Sequence, residues 1–173
     1  MPTEFYYPIS SATHDLPSAH LLLAGRGTAE ARLHALALSL RSASRIHFLG
    51  RVAYDRILDI FRAADLFLFA SMTETQGLVV AEALAVGLPV VALKAPGVDE
   101  AVADGVTGVL ASSLDELALA LRALLLDPLR RRALGDAALA QAWTLSAETQ
   151  VDRMILLYQH LLGQPEPAAA GRG

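Results

Sequence analysis

The sequence predicts an α/β domain in which a parallel sheet is flanked by helices. Short runs that are apolar on both faces alternate with helical stretches, which is typical of parallel strands buried between helix layers. A length of 173 residues with 54% apolar residues suits one domain with a substantial core. A charged fraction of 18% and a net charge of −4 argue against a disordered chain and against a dedicated nucleic-acid-binding protein.

Five apolar runs are the predicted strands, and helical stretches separate the first four of them. The strands are residues 21–24, 46–49, 66–70, 89–93 and 106–111. The helices between them are residues 29–40, 55–63 and 78–86. Glycines follow the first two strands, at Gly25 and Gly50. This alternation predicts βαβ units with right-handed connections.

The pattern after residue 111 is purely helical. Ser113 is predicted to cap a helix whose leucines recur at helical spacing. Asp127-Pro128 ends that helix and begins another, which runs to about Trp143. A third helix is expected over residues 147–162 after a cap at Ser146, with Leu156, Leu157 and Leu161 in the core or in an interdomain contact. Residues 163–173 are expected to be a disordered tail.

Residues 1–19 fit the alternation poorly and are predicted to be an atypical N-terminal segment. Residues 5–9 have strand character, but Pro8 suits an edge strand better than a central one. Residues 10–20 leave little room for a crossover helix, which needs a dozen residues or more. The main domain is therefore expected to span residues 20–162.

Composition excludes several classes of chemistry. The chain has no cysteine, so thiol nucleophiles, disulfides and Cys-ligated zinc are excluded. Lys94 is its single lysine beside thirteen arginines, and the five histidines show no metal-ligand spacing. No N-terminal segment resembles a signal peptide, and no apolar run is long enough to span a membrane. These features predict a soluble, cytoplasmic protein.

The most informative segment is residues 71–91, where a strand, a polar loop and a helix follow one another. The start of such a helix offers free backbone N–H groups and partial positive charge to an anion. Gly77 lets a ligand approach the main chain closely. Glu74 and Glu82 stand eight residues apart, ~12 Å along an ideal helix. That distance matches the reach from the ribose to the hexose of a nucleotide sugar, with the diphosphate between the two carboxylates.

Both glutamates also have simpler interpretations. A glutamate in the loop before a helix, such as Glu74, complements the helix dipole. A glutamate in an alanine-rich helix, such as Glu82, can face solvent. The neighbours of Glu82 are nearly all apolar, however, which predicts a buried helix whose acid needs a partner or a ligand. The residues alone leave these interpretations open.

The order of motifs resembles the C-terminal, nucleotide-sugar-binding half of GT-B glycosyltransferases. Glu74 to Glu82 matches the Glu-x7-Glu motif of the retaining enzymes, especially glycosyltransferase family 4. Further landmarks are residues 21–27, 46–52, 64–69, 97–100 and 104–108. The sequence Thr-Glu-Thr-Gln-Gly-Leu at residues 73–78 is similar to the version in bacterial diacylglycerol glucosyltransferases. The resemblance implies a Rossmann-like parallel sheet flanked by helices.

The resemblance also implies a role for each matching residue. Glu74, the catalytic candidate, would bind hydroxyls of the donor hexose, and Glu82 would hold the ribose hydroxyls. Main-chain groups would meet the sugar, the diphosphate and the base. The donor-binding set comprises Gly25, Gly27, Gly50, Arg51, Val52, Glu74, Thr75, Gln76, Gly77, Leu78, Val79 and Glu82.

Two departures from the family pattern affect the expected function. No segment before Leu21 matches the phosphate-binding Arg and Lys of the family, and the resemblance covers only the donor-binding half, so the chain is expected to lack the acceptor-binding N-terminal domain. No Asp-x-Asp motif is present, so no metal and no cofactor is expected. The resemblance implies retaining transfer of a hexose from a UDP-glucose-like donor, incomplete without an N-terminal acceptor domain from elsewhere. Membrane contact would come only through that half.

The same resemblance leaves two alternative functions open and bears on self-association. A non-catalytic nucleotide-sugar-binding domain and a fragment of a GT-B sugar-nucleotide epimerase share this fold. In the related fold the first strand of this half lies beside residues 21–24, and only residues 5–9 are available for it here. Unpaired strand edges would otherwise favour a homodimer or aggregation.

Overall fold

The computed structural model describes residues 6–72, 77–144, 151 and 154–159. Five strands and seven α-helices are defined in this part of the chain. In chain order they are α1 (Tyr6–Thr13), β1 (Leu21–Ala24), α2 (Glu30–Ser39), β2 (Ile46–Gly50), α3 (Tyr54–Ala63), β3 (Phe67–Phe69), α4 (Leu78–Ala85), β4 (Val90–Leu93), α5 (Val98–Ala101), β5 (Gly108–Ala111), α6 (Leu114–Leu126) and α7 (Pro128–Thr144). The alternation confirms the predicted α/β class.

All strand pairs are parallel. β1 pairs with β2, with Leu21 opposite Ile46. A second sheet has the order β3-β4-β5, with Phe67 opposite Val90 and Val90 opposite Gly108. Within the described residues, only β4 pairs on both sides, and β1, β2, β3 and β5 each pair on one side. In the chain, α3 follows β2 and α4 follows β3.

The predicted strand at residues 5–9 is wrong, because Tyr6–Thr13 is a helix. Pro8 lies in its first turn, where a missing N–H group costs no hydrogen bond. Ile9 packs against the core, and Arg45 and Arg122 donate hydrogen bonds to carbonyl oxygens at or just beyond the end of the helix. These tertiary contacts stabilise the helix over the local strand preference.

The core lies on both faces of β4. Val90 and Ala92 pack into one cluster with α3, α4, α5 and α7, while Val91 and Leu93 pack into another with α6. The second cluster also receives residues of β1, namely Leu21 and Leu23, so that it joins the two sheets. β4 is buried at every position, as its continuous apolar run predicts.

Burial on both faces does not extend to the first sheet. Residues of β1 alternate between half-buried and exposed, with Leu22 44% exposed. β2 shows the same alternation, with His47 and Leu49 outward. The prediction that these two runs are buried on both faces is therefore wrong. The helix α2 covers only one face of this sheet, through contacts such as the stacking of His34 on Phe48.

The C-terminal helices follow the predicted pattern. The Ser113 hydroxyl accepts a hydrogen bond from the Glu116 N–H, which confirms the predicted cap of α6. Residues 154–159 are helical, but Leu156 and Leu157 are 41% and 56% exposed, so they do not lie in this core. The predicted Ser146 cap, Leu161 and the tail at residues 163–173 lie outside the described residues.

Candidate functional site

The start of α4 is built on two glycines. Gly77 is the N-cap and has φ +60°, a left-handed conformation that favours glycine. A Cβ atom at this position would lie 2.5 Å from the carbonyl oxygen of Gly97. The space beside Gly77 is therefore filled by the turn before α5. Glycine is required here by this packing, in addition to the close approach of a ligand that the sequence predicts.

The first turn of α4 presents main-chain donors. Ala81 makes the first intrahelical bond, from its N–H to the Gly77 carbonyl at 2.9 Å. The N–H groups of Leu78 and Val79 precede this bond, and no side chain of the described residues caps the helix. Leu78 itself is 63% exposed. Such a helix start carries partial positive charge and suits a phosphate group.

Glu82 lies one turn further along α4 and has a protein partner. Its Oε1 accepts a hydrogen bond from the Tyr54 hydroxyl at 3.2 Å. This bond raises the pKa of Tyr54, because ionising the phenol would lose the bond and oppose the carboxylate charge. Tyr54 is the first residue of α3. Sequence reasoning missed it because Tyr54 and Glu82 lie 28 residues apart and meet only through the way α3 and α4 lie side by side.

The surroundings of Glu82 differ from the predicted ones. Val80, Ala83 and Leu84 point into the core, whereas Leu78 and Ala81 are exposed. α4 is therefore buried on one face, and Glu82 is half-buried at the boundary. The prediction of burial all round is wrong because alanine and leucine occupy the outward face of this helix as well as its inward face.

The carboxyl ends of β1 and β2 form an open cleft of about 530 Å³. Gly25 and Gly50 have φ +119° and +64°, and the Gly25 N–H donates to the Gly50 carbonyl at 2.7 Å. The lining residues are Ala24, Gly25, Arg26, Arg51, Val52 and Ile57. Arg26 and Arg51 are exposed cations, so the cleft combines exposed main chain with positive charge.

The structure places the predicted residues in two groups. Gly25, Gly50, Arg51 and Val52 line or close the cleft, while Gly77, Leu78, Val79 and Glu82 lie at the start of α4. The Tyr54–Glu82 bond joins the helix after the cleft to α4. Gly27 lies at the entry to α2, where its carbonyl accepts from the Glu30 N–H. The remaining candidates, Glu74, Thr75 and Gln76, lie outside the described residues.

Other acidic and metal-ligating candidates have structural roles or do not cluster. Asp99 accepts a hydrogen bond from the Ala95 N–H at 3.1 Å and so closes its own turn. In the described part of the chain, no three histidine or acidic side chains are grouped so that they could hold a metal ion. None of the helices that the structure describes is both long and apolar enough to cross a membrane.

Comparison with known proteins identifies the family. The model of the family described as "Glycosyl transferases group 1" matches residues 9–141. The chain belongs to the group 1 glycosyltransferases. The D-inositol 3-phosphate glycosyltransferase of Rhodococcus opacus is 39% identical over 126 residues, which are 72% of this chain and 28% of that protein. This group 1 chain spans 27 to 36% of the length of such relatives.

Solved structures place this group 1 domain in the C-terminal half of the GT-B fold. Anabaena Alr3699/HepE in complex with UDP and glucose is 27% identical with a TM-score of 0.74, over 90% of this chain and 44% of that one. The C-terminal domain of a group 1 protein, LpcC from Francisella tularensis, has a TM-score of 0.70 at 24% identity, and this likeness supports a shared fold only. It covers 79% of this chain and 74% of that domain.

Proposed function

We propose that this chain is the donor-binding half of a retaining glycosyltransferase that transfers a hexose from UDP-glucose or a similar nucleotide sugar. The observation that carries the proposal is the position of the Glu82 carboxylate on α4, where it is hydrogen-bonded to Tyr54 of the helix that follows the cleft. HepE, a relative of the same fold, is solved with UDP and glucose. The Glu-x7-Glu spacing supports assignment to family 4, and the loop sequence supports the diacylglycerol glucosyltransferase variant of it.

The proposed arrangement follows the ligand from base to sugar. The base contacts the main chain at Arg51 and Val52, after Gly50, and Gly25 and Gly27 keep the opposite side of the cleft open. Glu82 accepts hydrogen bonds from the ribose hydroxyls, because a carboxylate is an acceptor with several lone pairs. Glu74 binds hydroxyls of the hexose, with Thr75 and Gln76 in the same loop.

The chemical step depends on charge developing on the diphosphate. As the bond from the sugar to the diphosphate breaks, negative charge grows on the leaving oxygen. The N–H groups at Gly77, Leu78 and Val79 and the helix dipole stabilise that charge without moving. The positive side chains of Arg26 and Arg51 add to this field. We propose that no metal ion takes part, and that an N-terminal domain supplies the acceptor.

Calorimetry with UDP and UDP-glucose tests the proposal and separates the two carboxylates. Replacing Glu82 with Ala removes the ribose acceptor and is expected to weaken UDP by roughly 1–3 kcal/mol. Glu74→Ala is expected to spare UDP and to weaken only the sugar-bearing ligand. Asp115→Ala, which removes an exposed acid from the first turn of α6, is the matched control. Equal effects of the Glu74 and Glu82 variants on UDP, or no UDP binding by the wild-type chain, would contradict the proposal.

A further inference from the structure

Tyr54 combines high exposure with a specific polar contact. Its side chain is 75% exposed, so it contributes little to the core, which α3 reaches through Phe61. Its hydroxyl nevertheless donates to Glu82 Oε1 at 3.2 Å. The contact joins the first turn of α3 to the middle of α4.

We propose that Tyr54 is a positioning residue that holds the Glu82 carboxylate ready for the ribose diol of the donor, an inference that rests on the proposed function. A free glutamate side chain in solvent samples many rotamers, and fixing it on binding costs conformational entropy. The Tyr54 hydrogen bond restricts those rotamers before the ligand arrives. The bound geometry is then partly prepared, which improves affinity without a new ligand contact.

The acceptor capacity of Glu82 is sufficient for both partners. A carboxylate has two oxygens and about four lone-pair positions. Tyr54 occupies one position on Oε1. The remaining positions can accept hydrogen bonds from both the 2′- and 3′-hydroxyls, so the tyrosine bond persists when the nucleotide is bound. Because the tyrosine acts through Glu82, its effect is expected only with ligands that carry these hydroxyls.

The position of Tyr54 in the chain also connects it to the base. It follows Val52, which lines the cleft, by two residues. A nucleotide that contacts the main chain at residues 51–52 and the carboxylate of Glu82 therefore lies along the start of α3. Tyr54 is then the side chain that couples the two ends of the nucleoside, and it favours ribonucleotides over deoxynucleotides.

Calorimetric titration of the full chain with UDP and with 2′,3′-dideoxyuridine diphosphate tests this role. Tyr54→Phe keeps the ring and removes the donor. We expect it to weaken UDP about three- to tenfold and to leave the dideoxy ligand unchanged. In a double-mutant cycle with Glu82→Gln, the double variant is expected to bind UDP no more weakly than Glu82→Gln alone. Tyr158→Phe, in the C-terminal helical segment, is the matched control.

The outcomes separate this inference from the proposed function. Tighter UDP binding by Tyr54→Phe would show that the tyrosine competes with the ligand, and would overturn the inference. An equal loss for both ligands, or UDP binding that Tyr54→Phe leaves unchanged, would overturn it while the proposed function stands. Failure of the wild-type chain to bind UDP would overturn both.

Discussion

The guanidinium of Arg122 binds the carboxylate of Asp15 through both oxygens, with Nη1–Oδ1 at 2.6 Å and Nη2–Oδ2 at 2.8 Å. Its Nη1 also donates to the Ala12 carbonyl near the end of α1 at 2.8 Å. These bonds stabilise the ionised carboxylate, so the pKa of Asp15 lies below its ordinary value. One side chain of α6 therefore holds the end of α1, through a residue 110 positions earlier in the chain.

Replacing Asp15 with Asn is expected to lower the thermal midpoint at pH 7 by a few degrees. Because the folded-state pKa of Asp15 is lowered, its stabilising contribution is complete above the ordinary carboxyl pKa of about 3.9 and is lost as pH falls through the folded-state value. The difference between wild type and variant should therefore shrink towards pH 3. Thermal unfolding followed by circular dichroism at both pH values measures this.

Asp59→Asn provides the control for that experiment. Asp59 is 62% exposed and pairs with Arg56 and Arg62 on its own helix, at 3.4 and 3.6 Å. Exposed pairs of this kind contribute little to stability, so no measurable change is expected. The account of Arg122 fails if the two variants behave alike, or if the effect of Asp15→Asn is the same at both pH values.

Local signals in the sequence predict most of the fold. The five strands and the caps and breaks after residue 111 come from neighbouring residues, as with the Ser113 hydroxyl and the Glu116 N–H. α1 could not be predicted in this way. Its sequence has strand character, and the contacts that favour a helix come from Arg45 and Arg122, which lie far along the chain.

The residues of the candidate site also divide into those that the sequence predicts and those that only the fold brings together. The glycine at the start of α4 and the spacing of the glutamates are visible in one continuous segment. Tyr54 and Gly97 belong to other segments, and they meet this one only through the packing of α3 and α5 against α4. No pattern in the sequence indicates contacts between such distant residues, so these parts of the site required the structure.

Gly77→Ala is expected to reduce the free energy of unfolding by roughly 2–5 kcal/mol, measured by urea denaturation. The variant would combine a left-handed φ of +60° with a Cβ atom 2.5 Å from the Gly97 carbonyl. Gly105→Ala separates these causes, because Gly105 has φ +75° with nothing within 4 Å of an added Cβ. Its expected cost is about 1–2 kcal/mol.

One outcome of comparing Gly77→Ala with Gly105→Ala would contradict the role given to the Gly97 contact. If both variants lose the same stability, the contact with Gly97 does not constrain Gly77, and only backbone conformation matters. UDP binding by Gly77→Ala, measured at a temperature where the variant is folded, should also weaken, since the helix start would shift. Gly105→Ala should bind UDP as the wild type does, because it lies in the turn before β5.

Removal of divalent metal is expected to leave UDP binding unchanged. The positive end of α4 and the exposed side chains of Arg26 and Arg51 supply the charge that balances the diphosphate. The sequence also has no Asp-x-Asp motif to hold a metal-diphosphate complex. Calorimetry in EDTA and in Mg²⁺ measures this directly. Binding that is lost in EDTA and restored by Mg²⁺ would contradict the prediction.

The chain is expected to associate through the unpaired edges of its sheets. In the described residues, β1 and β3 each have one edge that no strand covers, and the exposed backbone groups of such edges can pair with another chain. Sedimentation velocity over a range of concentrations should show a mass that rises above that of the monomer.

Leu22→Lys places a charge on β1 at a site that is 44% exposed, and should shift the chain towards monomer because an edge charge opposes strand addition. Leu38→Lys, on an 80% exposed site of α2, is the control and should leave association unchanged. A wild-type chain that stays monomeric at every concentration would show that these edges do not drive association.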